Sequence, residues 1–376
     1  IIVIVLMIFV LVSCQKSWYV VSDKDAEDKH RAEGIMYSLP RTVLDVDITL
    51  NVYDYTPGPF SQYANSYLNI SGVEQQEMSF WEIDAVKIYE NPEPDPDAKF
   101  WLVPRKTRPS IQLTDQGTLT GINNFQVIEN LPVVGRFYPV RKTLPNDILF
   151  TNLGVKRNKY EVIDTTWRVI EKDSVISRIP VYKSVEKEKT WHHKAQDAAN
   201  FIIKIRKRIF KLEAAIEEQQ ADGEGIGIMI EKLEALEREY VELFIGKTEV
   251  ETRYYHFKIV PESGNSSQIF FLANLDIETG DFVEDEPQAH TIKLKVEAAE
   301  LYSSKQPSPE KVTDIGLVSR QSVMANCYLL LNEEIVYEKS AMIPQIGVFK
   351  TLSSDLISDD TKILINPKTG SLQMIE

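Results

Sequence analysis

The sequence predicts an α+β protein: two β-rich, sandwich-like domains separated by a long antiparallel helical hairpin. Three observations predict it. Apolar residues recur every three or four positions between Thr190 and Gly246, the period of a helix face. The stripe is broken once, at Asp222-Gly223-Glu224-Gly225, which makes two helices of it. On either side, short runs alternate apolar and polar residues, the period of a half-buried strand.

The hairpin carries the strongest pattern. Ala198, Ile202, Ile205, Ile209, Leu212 and Ile216 form one apolar stripe, and Ile226, Ile230, Leu233, Leu236, Tyr240 and Leu243 form another. Thr190 suits the N-cap of the first arm. Lys204, Arg206, Lys207, Arg208 and Lys211 make that arm's outer surface basic. Glu231, Glu234, Glu237, Glu239 and Glu242 make the second arm acidic. Opposite signs favour the antiparallel pairing, each exposed ion pair adding only ~0.2–1 kcal/mol. Each arm spans roughly 30–40 Å. The five bases are the densest local basic patch and the candidate contact surface for a partner.

At the start, Ile1 to Val12 is an unbroken apolar run. It is too short to cross a bilayer, which takes ~20 apolar residues, and fits the apolar region of a signal peptide whose true start is missing. Leu11-Val12-Ser13-Cys14 resembles the bacterial lipobox, in which cleavage leaves the cysteine to be acylated; the other reading is a truncated transmembrane anchor. Lipid on Cys14 would hold a body at a membrane surface. It would also leave Cys327 without an intrachain partner, and Cys327 reads as a small buried hydrophobe. The net charge of −14 argues against nucleic acid or an anionic lipid surface as partner.

Gln15 to Glu33 is charge-rich and reads as a tether. From Gly34 the pattern becomes strand-like. Val46, Ile48, Leu50 and Val52 alternate with polar residues, and Tyr55-Thr56-Pro57-Gly58-Pro59 ends that run. Pro59 opens a short helix carrying Tyr63 and Tyr67 on one face. Ser79 to Tyr89 alternates again. Asn91-Pro92-Glu93-Pro94-Asp95-Pro96-Asp97 reads as a stiff solvated connector rather than a calcium loop, because it lacks the glycine and ligand rhythm. Lys99–Val103, Ile111–Leu113, Phe125–Ile128, Val133–Val140 and Val162–Ile170 are further strands, with Gly117 and Gly121 at turns. Trp81, Trp101 and Trp167 read as core or edge packing, with a sugar platform as the alternative.

After Gly246, Arg253–Val260 and Gln268–Ala273 alternate. Ile277-Glu278-Thr279-Gly280 and Asn366-Pro367-Lys368-Thr369-Gly370 each turn one strand into the next. Val323–Leu331 and Ile335–Tyr337 form a hairpin around Asn332-Glu333-Glu334, while Glu284–Pro287 and Ser303–Pro309 are loops. Gly34–Asn51 and Gly316–Asn332 resemble each other loosely. The expected organisation is a lipoprotein signal over 1–14, a tether over 15–33, a β-rich domain with a short helix over 34–189, the hairpin over 190–248 and a second β-rich domain over 249–376.

Several of these pieces together resemble an uncharacterised Bacteroidetes lipoprotein family, the domain of unknown function numbered 4831. They are Gly34-Ile35-Met36-Tyr37-Ser38-Leu39-Pro40-Arg41-Thr42, Tyr55-Thr56-Pro57-Gly58-Pro59 with Tyr63 and Tyr67-Leu68, the hairpin ending in Glu242-Leu243-Phe244-Ile245-Gly246-Lys247, Gln345-Ile346-Gly347, and Pro367-Lys368-Thr369-Gly370. The resemblance implies a Gram-negative envelope lipoprotein and brings no activity or site residue with it.

No residue pattern in the sequence assigns a catalytic, cofactor or metal residue. Gly246-Lys247-Thr248 fails as a phosphate loop, because Val241 stands where that loop needs glycine. Gly223-Glu224-Gly225-Ile226-Gly227 reads as a turn. His193 and Asp197, at i and i+4, lack a third metal ligand, and His192 points about 100° away from His193 on a helix. The leading reading is an envelope-anchored, non-enzymatic scaffold, adaptor or assembly subunit at the outer membrane, on its periplasmic face, with a protein partner. The alternatives are a glycan- or peptidoglycan-binding module and a hydrolase with an unrecognised site.

Overall fold

A computed structural model describes residues 18–105, 108–124, 158–172, 175–217, 223–284, 286–299, 316–353, 357 and 360–376. The apolar run Ile1–Val12, Cys14, the strands expected over Phe125–Ile128 and Val133–Val140, and the loop Ser303–Pro309 lie outside these residues.

The chain runs β1 (Trp18–Ser22), α1 (Asp28–Glu33), β2 (Ile35–Thr56), α2 (Ala64–Leu68), β3 (Met78–Pro104), β4 (Ile111–Leu113), β5 (Leu119–Ile122), β6 (Lys159–Lys172) and β7 (Val175–Glu188). The helices α3 (Trp191–Glu217) and α4 (Gly223–Ile245) follow. Then come β8 (Lys247–Ile259), β9 (Ser267–Leu275), β10 (His290–Ala298), β11 (Gly316–Leu331), β12 (Glu334–Ser353), β13 (Ile363–Ile365) and β14 (Leu372–Ile375). The sheets are ordered β1-β3-β2-β8, β12-β11-β10-β9, β14-β13-β5-β4, and the two-stranded β6-β7. The loosely similar stretches from Gly34 and Gly316 fall in β2 and β11, both internal strands of their sheets.

The chain divides into two compact units by packing rather than by sequence order. One takes Ile1–Leu50, Glu82–Pro139 and Arg253–Glu376; the other takes Asn51–Trp81 and Val140–Thr252. The blocks 34–189 and 249–376 expected from the sequence therefore both supply strands to the first unit. The hairpin belongs to the second, with β6, β7 and α2. Strand pairing between segments far apart in sequence produces this mixture. In one sheet, β13 lies against β5, with Ile363 opposite Ile122.

The first unit's core joins Trp18, Val20, Tyr37, Leu39, Phe100, Leu102, Leu119, Ile122, Leu317, Val318, Ile363 and Ile365, all buried. Residues 15–33, expected to be a tether, are part of the fold from Trp18 on. Trp18–Ser22 pairs antiparallel with Phe100–Pro104, because Trp18, Val20 and Val21 supply apolar side chains that the core buries.

Asn91–Asp97 also departs from the expected solvated stretch. It is no connector but the interior of β3, and Asp95 is only 3% exposed. Proline favours extended backbone, and three prolines at alternate positions place their missing N–H groups along one side of the strand. β1 covers β3 only from Phe100 onward, so the proline stretch lies beyond that pairing. Asp95 accepts from Nη2 of Arg320 at 2.9 Å, and both side chains are buried. Arg320 Nη1 donates to the Pro40 carbonyl at 2.9 Å, its backbone N–H donates to Gly370, and its guanidinium lies 4.7 Å from the Phe349 ring centroid. Burial pulls the guanidinium pKa below its ordinary value, and the Asp95 charge opposes that pull. One arginine thus ties β2, β3, β11, β12 and the β13–β14 turn. Beside it, buried Gln345 accepts from the Thr42 N–H at 2.9 Å and donates to the Thr42 carbonyl at 2.7 Å.

The turns follow the sequence closely. Asn332 and Glu333 both take positive φ between β11 and β12, the pairing that a tight two-residue hairpin turn requires. Gly280 and Gly370 are also left-handed, at φ 69° and 70°. Gly121, expected at a turn, lies inside β5, where a Cβ would meet the Ile363 carbonyl oxygen at 3.0 Å; the close approach of β13 explains the glycine.

Cys327 is fully buried in β11, and burial, with the Glu90 charge, pushes its thiol up to about 12. In a Cys14→Ser chain, a disulfide reagent at pH 8 is expected to leave the native protein unlabelled and to label one thiol after unfolding. Rapid labelling of the native chain would place the thiol at the surface.

Candidate functional site

The hairpin forms as its stripes require. Thr190 caps α3, with its hydroxyl accepting from the His193 N–H at 3.4 Å and its carbonyl from the Lys194 N–H at 3.0 Å. Ala195, Ala198, Ala199 and Ile202 meet Tyr240, Leu243 and Phe244 over Phe60 and Ala64 in the second unit's core. Burial fades outward along α3: Ile202 and Ile205 are buried, Ile209 and Leu212 half-buried, and Ile216 exposed. Gly225 and Gly227, expected in the turn, lie inside α4, with nothing within 4 Å of where a Cβ would stand. The first turn of a helix tolerates glycine because its N–H groups have no intrahelical acceptors. The stop at the other end is Gly246, at φ 84°.

The base of the hairpin is an aromatic–histidine cluster. The Tyr67 hydroxyl lies 2.8 Å from His192 Nε2, and the Tyr63 ring packs edge-on against His192 at 5.8 Å. Tyr160 of β6 stands 5.0 Å from the His193 ring. His193 and Asp197 are not brought together as ligands. His193 Nδ1 bonds Thr190 at 2.9 Å, and Asp197 accepts from Lys189 at 2.5 Å. In the first unit, which sequence reasoning left unplaced, His256 Nδ1 lies 2.7 Å from Asp47 Oδ1 and Nε2 lies 3.7 Å from Asp45 Oδ1, with Asn91 also donating to Asp45. The alternation that sets Asp45 and Asp47 on one face of β2 was visible and made that face wet; the burial of Asp45 and the meeting of both with His256 of β8 were not visible. Among the described residues no group of three His, Cys, Asp or Glu side chains is arranged to hold a metal ion.

All five bases of the candidate contact surface, Lys204, Arg206, Lys207, Arg208 and Lys211, are exposed on α3. Arg206 Nε donates to Glu237 of α4 at 2.6 Å.

One exposed apolar feature lies in a segment that sequence reasoning took for an ordinary strand. β6 and β7 form a ribbon of fourteen residues a side in register from Lys159↔Glu188 to Lys172↔Val175. Alternation sends Ile163, Trp167 and Val169 of β6 to one face; the register adds Ile176 and Tyr182 of β7, opposite Glu171 and Thr165. These five side chains are 58–69% exposed. An exposed apolar face of this kind is a candidate contact site. Trp167 is thus not core packing, while Trp101 is tied down through Nε1 to Asp23 at 2.7 Å. The signal was available in principle: both faces of Val162–Ile170 carry apolar residues, which a sheet with one dry face does not need.

No described helix is long and apolar enough to cross a membrane. Comparison with curated proteins and with solved structures gave no match. The family model described as "Domain of unknown function (DUF4831)" matches residues 33–150 and 176–373 and skips the stretch that contains β6. Spanning both compact units and the hairpin, that match shows that the chain belongs to the DUF4831 family.

Proposed function

We propose that the protein is a non-catalytic adaptor, or a subunit of an assembly, in a bacterial envelope. In this reading it is held at the periplasmic face of the outer membrane by lipid on Cys14 and contacts a protein partner through the β6–β7 ribbon. The exposed apolar face of Ile163, Trp167, Val169, Ile176 and Tyr182 carries the proposal. An isolated two-stranded ribbon gains little stability of its own, so apolar side chains on its open face serve the fold poorly and a contact well. The apolar run that ends in Leu11-Val12-Ser13-Cys14 supports the anchor.

The test compares the unmodified chain with Trp167→Ser/Tyr182→Ser in pull-downs from detergent-solubilised envelopes. The expected result is a stoichiometric partner with the first and its loss, by about tenfold or more, with the second, at unchanged circular dichroism. Equal recovery with both would remove the ribbon from the reading. Cys14→Ala is expected to release the body from membranes.

The two exposed rings also favour a second reading, a glycan-binding face. Binding of the same two chains to peptidoglycan fragments separates the readings: retention by the unmodified chain alone, with no protein partner, selects the glycan.

A further inference from the structure

We infer that β6 is a self-pairing edge: two copies of this chain join their β6 strands antiparallel, about a twofold axis at Thr166, into a four-stranded sheet β7-β6-β6-β7. The surface used is the backbone edge of β6, not the apolar face of the adaptor reading, which stays open to a partner.

The two edges of the ribbon are not alike. The β6–β7 sheet has two strands, so each strand has one edge without a neighbour among the described residues. Trp167 stands opposite Pro180 in an unbroken register. Proline has no N–H and fits a pair that exchanges no hydrogen bonds. Bonded and non-bonded pairs alternate along an antiparallel ladder. The even-numbered residues of β6 therefore bond to β7, while Ile163, Thr165, Trp167 and Val169 turn their N–H and C=O groups outward. The outward row of β7 is broken at its middle by Pro180, which has no donor to offer. Edge prolines guard a strand against addition of another, and β6 has none over its fourteen residues.

The side chains select a second β6 as the added strand. Ile163 to Ile170 are all exposed, on both faces of β6. Asp164 and Arg168 share one face but lie about 13 Å apart along the strand, too far to pair with each other. Neither has an ion pair among the described residues, although Lys183 stands opposite Asp164 in the register. Antiparallel pairing about Thr166 sets Asp164 of each copy opposite Arg168 of the other, twice over. The same register sets Ile163 opposite Val169 on one face and Val162 opposite Ile170 on the other, and brings the two Trp167 rings together diagonally beside the axis. It also faces outward-turned residues with outward-turned residues, as a ladder between the copies requires. Neighbouring registers do less. An axis at Asp164 or Arg168 sets like charge against like, and one at Thr165 or Trp167 leaves each charge opposite threonine or an apolar residue. The positions of Glu161 and Glu171 come opposite only at the two ends of the ladder. A twofold pairing of this kind is closed and leaves no further β6 edge free.

Cross-linking of the purified full chain with Cys14→Ser tests this, since Cys327 is buried. Thr166→Cys would set two thiols opposite each other in a non-bonded pair, with Cα atoms about 4.5 Å apart, within disulfide reach. Mild oxidation is expected to join this variant into a covalent dimer about tenfold or more faster than Thr165→Cys, displaced from its copy along the ladder, or Ser184→Cys on β7. Sedimentation equilibrium supplies the second measurement. Asp164→Arg and Arg168→Asp are each expected to weaken the dimer by about tenfold, and the double swap Asp164→Arg/Arg168→Asp to restore it, because the exchanged charges again face each other. A chain monomeric at every concentration, equal cross-linking at the three positions, or a dimer indifferent to the single charge variants overturns the inference. A monomer that still recovers a protein partner through Trp167 and Tyr182 removes the self-pairing and leaves the adaptor reading standing.

Discussion

Asp95→Ala is expected to lower the stability of the protein by about 3–5 kcal/mol, read from urea unfolding followed by tryptophan fluorescence. The side chain is the buried counter-charge of Arg320, 2.9 Å away, and both groups are almost without solvent. Removing it leaves a guanidinium that water cannot reach. The Pro40 carbonyl can keep one of its N–H donors, but no carboxylate replaces the other partner. Replacing both partners with apolar groups, as Asp95→Leu/Arg320→Met, is expected to recover much of the loss, because a buried ion pair and a well-packed apolar pair are close in free energy. A single variant as stable as the parent would mean that the pair is hydrated in solution.

Gly246→Ala is expected to cost about 2–4 kcal/mol, from the left-handed backbone and the lack of room together. The residue sits at φ 84°, ending α4, and a Cβ would stand 2.6 Å from the Thr56 carbonyl oxygen and from the Tyr55 ring. Tyr55 is held there by its hydroxyl, which lies 2.9 Å from the carbonyls of Ile245 and Glu74 and shares its one proton between them. Gly58 closes the same junction. A Cβ there would overlap the Leu243 carbonyl oxygen, which already accepts from the Phe60 N–H at 2.9 Å. Gly225→Ala is the control with the opposite sign: in α4, with open space around it, alanine should stabilise by about 0.5–1 kcal/mol. The three glycines look alike in the sequence, and the contrast between their variants measures what the fold demands of each.

The pieces that carry the family resemblance acquire a common physical meaning here. Tyr55–Pro59 meets Glu242–Lys247 through Gly58, Gly246 and the Tyr55 hydroxyl, in one unit. In the other, Pro40 and Thr42 meet Gly370 and Gln345 around Arg320. Both junctions are places where backbone approaches backbone so closely that only certain residues fit, which explains why they read as motifs and yet pointed to no activity.

Local patterning was enough for much of this protein. The two helices, the Thr190 cap, the Gly246 stop, the tight turn at Asn332-Glu333 and the closing β13–β14 hairpin all depend on residues within a few positions of one another, and the sequence alone determined them. The tertiary structure decided the rest, because the deciding partner lies far along the chain. Pro92–Asp97 has the composition of a solvated connector until Arg320 supplies the charge that makes Asp95 worth burying. Trp18–Ser22 is a polar-flanked tether until Phe100–Pro104 offers it an edge. Trp167 reads as core or edge packing until the register of β6 with β7 and its 63% exposure set it on an open face. The function proposed here rests on that last point, an exposure that only three-dimensional neighbours could grant or withhold.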